Sequence, residues 1–166
     1  MITNFLLDHS ALVPVAIVLV ALVCAVLGRL FAGRPRILWA LAGVSSLPVV
    51  ALTLVPTAHS IDGILCTVQF SLPTLGAVEL LANVALFLPP VCFAALASRR
   101  PVTMLAAGSA LSAVIETLQA LVPAIGRACD TNDWLMNTIG ALLAAGTARL
   151  VGRRAQSGSS TGAISS

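Results

Sequence analysis

Five times along this chain a run of mostly apolar residues is closed at both ends by polar or ionisable side chains, and each run approaches the ~20 residues a helix needs to cross a bilayer. The runs lie between His9 and Arg29, between Arg36 and His59, between Glu79 and Arg99, between Arg100 and Arg127, and from near Trp134 to about Val151. Backbone groups in hydrocarbon must pair within their own segment, so each run is expected to be helical. Composition agrees. Charged residues make up 9% of the 166-residue chain, against about 25% in soluble domains. The expected fold class is all-α: a polytopic integral membrane protein, a five-helix transmembrane bundle over residues 1–152. A disordered Ser/Gly-rich cytoplasmic tail should follow over 153–166. Asp8, not a basic cluster, precedes the first run, which reads as an uncleaved span rather than a signal peptide.

All nine basic residues are arginines, and the net charge is +3. Arg29, Arg34 and Arg36 share the first loop, Arg99 and Arg100 the third, and Arg149, Arg153 and Arg154 the C-terminal end. With five spans these places fall on one side, which the positive-inside rule makes cytoplasmic. Asp8, Asp62, Glu79, Asp130 and Asp133 fall on the other. The N-terminus is therefore expected outside and the C-terminus inside the cell membrane. Membrane lipids are the expected surroundings, and charge this scattered is not that of a nucleic-acid binder.

The polar residues within the spans are few and converge. Glu116 sits deep in the fourth run, where an ionisable group costs about 2.5–3.5 kcal/mol on insertion scales and marks a functional-site candidate. Gly108, Ser112 and Glu116 recur every four residues on one helix face, and Gln119 extends it. Glu79 and Asn83 form an i, i+4 pair at the outer end of the third span; Asp133 and Asn137 do the same in the fifth. Arg127 and Asp130 lie in the loop between spans four and five. Asp130, Thr131 or Asn132 can cap the fifth helix. Glu79, Asn83, Glu116, Gln119, Arg127, Asp130, Asp133 and Asn137 are the candidate lining of an outward-facing polar pocket.

Plainer roles stand beside that one. Arg127 is most simply the counter-ion of Asp130, Asp133 or Glu116, and the amides can serve only as interhelical hydrogen bonds. Three carboxylates can hold a hard cation, but no tight spacing signature supports one, and no metal is expected. No Gly-rich phosphate loop, HExxH or nucleophile beside a base appears, so no cofactor is expected and catalysis is unassigned.

Pro89-Pro90 should kink the third span. The long second loop, Pro56 to Val78, reads as an ordered extracytoplasmic segment along the headgroups or as a short re-entrant cover over the site. Trp39 and Trp134 read as interfacial anchors. Cys24 and Cys92 lie in spans and read as small packing residues. Cys66 and Cys129 both fall on the outer, oxidising side, where disulfides persist, and a bridge between them is expected.

The runs Asn83-Val-Ala-Leu-Phe87-Leu-Pro89, Glu116-Thr-Leu-Gln119, Arg127-Ala-Cys-Asp130-Thr-Asn-Asp133 and Asn137-Thr-Ile-Gly140 resemble the VanZ-like family. That family is named for a membrane protein associated with resistance to teicoplanin. The resemblance covers Asn83 to Gly140. It departs at Val91, where the family often has Gly two residues after the first proline. What it implies is a small polytopic membrane protein linked to the cell envelope; the outward-facing polar pocket is then expected to take an envelope lipid, a cell-wall precursor or a glycopeptide. The alternative is a membrane-embedded enzyme acting on such a lipid or precursor, with Glu116 as general acid or base and Arg127 holding an anionic group.

Overall fold

A computed structural model describes residues 12–56, 66–70 and 78–161, with side chains as far as Arg153. The bundle is all-α. Helices α1 (Leu12–Leu30), α2 (Pro35–Leu54), α3 (Val78–Ser98), α4 (Pro101–Leu121) and α5 (Thr131–Thr161) are each long and apolar enough to span a membrane. The bilayer is also legible on the surface, where Val15, Val18, Leu19, Leu22, Val23 and Val26 of α1 all stand exposed. In water such a face would be a liability; against acyl chains it costs nothing.

Two short turns join the helices at the arginine end. Arg34 N–H bonds Phe31 O at 2.8 Å, and α2 then begins on Pro35. Likewise α4 begins on Pro101. Proline suits a helix's first position, where its missing N–H has no intrahelical partner to lose. Arg99, just past α3, has φ 57°. That is the left-handed region, in which glycine usually ends a helix.

Helix α3 is the hub, packed most extensively on α5 and then on α2. Phe87, Leu88 and Cys92 of α3 meet Cys24, Leu38, Ile115, Ala141 and Ala144 in one core cluster. Cys24 of α1 and Cys92 of α3 are both free and buried in that cluster, as expected of packing residues. Small residues let the helices close. A Cβ at Gly108 would stand 2.8 Å from Val91 Cγ2, and one at Gly140 would land on the carbonyl of Val84. Pro89 and Pro90 lie inside an otherwise continuous α3. The missing N–H groups free the carbonyls of Ala85 and Leu86 one turn earlier.

The opposite end is stitched rather than turned. Helix α4 stops before Pro123, a 3-10 turn covers Pro123–Ile125, and Gly126 (φ 69°) redirects the chain. Then β2 (Cys129–Asp130) pairs in parallel with β1 (Cys66–Thr67), placing Cys66 opposite Cys129. The expected disulfide is present, with its Cα atoms 4.5 Å apart. Of the long second loop only Cys66–Phe70 is described, and it lies pinned to the start of α5. His59 and Asp62 fall outside the described residues.

One element differs from the sequence expectation. Helix α5 runs on to Thr161, past Arg153, where a disordered tail is expected. Arg153, Arg154, Ala155 and Gln156 are good helix formers with no stop signal among them. Trp134, at the start of α5, donates its indole N–H to Ser109 O of α4 at 3.2 Å. Trp39 remains exposed.

Candidate functional site

Asp130 organises the roof of the site. Its Oδ1 accepts the N–H of Asn132 at 2.8 Å, capping α5. Its Oδ2 accepts from Gln69 Nε2 at 2.7 Å, holding the second loop. Thr131 completes that seam: its hydroxyl accepts Gln69 N–H and donates to Gln69 O, at 2.9 and 2.7 Å. The backbone N–H of Asp130 turns inward and donates to Glu116 Oε2 at 2.8 Å.

Glu116 lies five residues before the end of α4, roughly 7–8 Å along the axis at 1.5 Å per residue, and is 8% exposed. Gly108, Ser112, Glu116 and Gln119 are all buried, so the stripe does face protein. Ser112, fully buried, accepts Asn137 Nδ2 at 2.9 Å. Asn83 Nδ2 donates to Asp133 Oδ1 at 2.6 Å, tying α3 to α5. Gln119 Nε2 donates to Thr53 O at 2.9 Å, satisfying one of the last four carbonyls of α2, which have no partner within their own helix.

Together these groups enclose a cavity of about 210 Å³ lined from α2 (Leu52, Thr53), α3 (Ala82, Asn83, Leu86), α4 (Glu116, Gln119), α5 (Asp133, Asn137) and Arg127. Six of the eight candidate residues therefore share one space. The other two do not. Glu79 is exposed outside the lining, and the Asp130 carboxylate is spent on the roof.

Arg127 also departs from its simplest reading. It closes no ion pair with Glu116, Asp130 or Asp133 among the described residues. Its Nε is buried without a hydrogen-bond partner, and so is Asn137 Oδ1. Asn137 is 2% exposed. Leaving such groups unpaired costs about 1–3 kcal/mol each, more for a charged one. Both line the cavity. Among the described residues no group of three His, Cys, Asp or Glu side chains is placed to hold a metal.

Leu52 and Thr53 went unread in the sequence because hydropathy does not show which spans are neighbours. Thr53 gave the one usable signal, a hydroxyl six residues before His59 in the second run. Asn132, 1% exposed, was read only as a possible cap.

Five membrane-length helices, four of which line a polar cavity beside a disulfide-bridged strand pair, define a multi-pass membrane protein. The chain belongs to the VanZ/LLP1 family, whose model matches residues 15–152. That match takes in all five spans and reaches well upstream of the motifs between Asn83 and Gly140. No curated protein and no solved structure matches the chain.

Proposed function

We propose that this VanZ-family protein binds the polar head of an amphiphilic envelope component in the Glu116 cavity, with the cavity end facing out of the cell. The observation that carries the reading is that two residues lining one cavity, Arg127 and Asn137, each hold a buried polar atom without a partner. Arg127 Nε asks for an acceptor, such as a carboxylate or phosphate oxygen. Asn137 Oδ1 asks for an N–H or O–H. Glu116 and Asp133 beside them also accept from hydroxyl and amide groups. A ligand meeting all of these carries both an anionic group and donors, as a lipid-linked cell-wall precursor does.

Size narrows the choice. Sites for drug-sized molecules run from about 300 to 1,000 Å³, so 210 Å³ suits a head group or a fragment of a glycopeptide rather than a whole one. The outward orientation is supported by the arginines gathered at the opposite end and by a disulfide at the cavity end. A link to teicoplanin resistance is the family's association, and the cavity's chemistry is compatible with it.

The test is ligand-induced stabilisation of the purified protein in mild detergent, using a lipid-linked disaccharide–pentapeptide and, separately, teicoplanin. The wild type should gain melting temperature with at least one. Asn137→Leu, which removes the unpaired acceptor together with the bond to Ser112 at little change in volume, should still fold, at some cost in melting temperature, and lose most of the ligand-induced gain, and Arg127→Gln should lose it likewise. An unresponsive wild type, or variants that respond as it does, would overturn the reading.

A further inference from the structure

The larger cavity lies at the other end of the bundle. Its volume is about 470 Å³, within the ~300–1,000 Å³ span of small-molecule sites. Leu38 of α2, Leu96 of α3 and Val151 of α5 form apolar walls, and Arg99, Arg149 and Arg153 supply the charged part of the lining. Every described carboxylate (Glu79, Glu116, Asp130 and Asp133) belongs to the opposite end, so Arg99 and Arg149 meet none.

The positive-inside bias accounts for arginines gathering at this end. It does not account for three of them lining one void. Arg99 occupies the left-handed helix-end position at φ 57°, one that glycine usually takes, and lines the cavity from there. The void itself is kept open by small residues. A Cβ built at Gly152 meets nothing within 4 Å.

We propose that this cavity binds an anionic phospholipid. The guanidinium groups of Arg99 and Arg149, with Arg153 beside them, take the phosphate oxygens, and an acyl chain lies along Leu38, Leu96 and Val151. The planar guanidinium fork matches phosphate with paired N–H···O bonds, and basic pockets between spans suit acidic headgroups. A free phosphate ion would leave the apolar walls without a contact, so the lipid is the occupant the whole surface fits.

The experiment uses the purified full-length protein in phosphatidylcholine nanodiscs, with phosphatidylglycerol or inorganic phosphate added. Retained lipid is read by native mass spectrometry and stability by thermal melting. Phosphatidylglycerol should be retained and raise the melting temperature, while inorganic phosphate should neither stabilise nor compete. Arg149→Gln should weaken retention roughly 10-fold or more, the scale of one charge-assisted hydrogen bond. Arg99→Gly should lose comparably yet keep or raise the lipid-free melting temperature, because glycine is at ease at that φ. Gly152→Leu should abolish retention with every arginine in place, and Arg36→Gln, at the same end but off the cavity, should bind as the wild type. Wild-type binding by Gly152→Leu, or equal loss in Arg36→Gln, would reduce the effect to surface charge and sink the proposal. Competition by inorganic phosphate would overturn the lipid as occupant.

Discussion

At one end of the bundle a 210 Å³ cavity is roofed by a disulfide and a short parallel bridge and threaded by interhelical hydrogen bonds; at the other, a 470 Å³ cavity is walled by aliphatic side chains and lined otherwise by arginine. The contrast follows from what each end must keep out of the hydrocarbon. Glu116, Asp133 and Asn137 are too short to reach water from inside a span, so protein has to meet them there. Arginines at a helix end reach the interface on their own stems, and two proline-started turns suffice to hold the helices together. Polar stitching therefore tracks the depth of the polar groups rather than their number.

The largest expected effect comes from removing the covalent stitch. Cys66 and Cys129 are 63 residues apart, and the chain-entropy treatment of a loop this long gives about 4 kcal/mol. The bilayer already confines the spans, so the loss on reduction should approach that figure from below. Denatured, unreduced protein should show two reactive thiols, from Cys24 and Cys92, and four after reduction. A membrane-impermeant reductant applied to intact cells should be enough to release the second pair. If only a permeant reductant does so, the stitched end faces the cytoplasm and the comparison is inverted.

Glycine substitutions separate the ends on packing alone. An alanine Cβ at Gly140, one turn below Asn137 at the floor of the polar cavity, lands on the Val84 backbone, which cannot swing aside. Gly140→Ala should cost about 1–3 kcal/mol, the usual penalty for overpacking. Gly152→Ala, opening onto the arginine-lined cavity, should be neutral or gain up to ~1 kcal/mol in helix propensity. Equal losses at both sites, measured by denaturant midpoint, would mean the two ends are packed alike.

How far the sequence foretold this contrast depends on the kind of contact. Hydropathy located all five spans, because bilayer thickness sets their length. Four-residue spacing found the buried Gly108–Ser112–Glu116 face, because helix geometry is local. The disulfide was legible because topology leaves two cysteines on one side. Arg127 was misjudged as an ion-pair partner: its charge suggested a counter-ion, but the Asp130 side chain is taken by Gln69 and Asn132, and Asp133 by Asn83. The arginine-lined cavity was invisible, since it is a gap left by Ala95, Ala148 and Gly152, and small residues look the same whether they close a gap or leave one.

The smallest expected effect is at Gln119. Its side chain holds Thr53 O, and among the described residues this is the side-chain hydrogen bond that joins α2 to the polar cavity. The bond is interhelical and between neutral groups, a kind worth about 0.6 kcal/mol on average in membrane proteins. Gln119→Leu keeps the volume and removes both polar ends, so the denaturant midpoint should fall by no more than roughly that amount. The freed carbonyl sits in the last turn of α2, which can fray to find water at the cavity mouth. Amide exchange should therefore quicken near Leu52–Val55 and stay unchanged in α3 and α5. If Gln119→Leu instead costs as much as Gly140→Ala, hydrogen bonds rather than close backbone packing hold the cavity end, and the two ends differ in the source of their stability as well as in their chemistry.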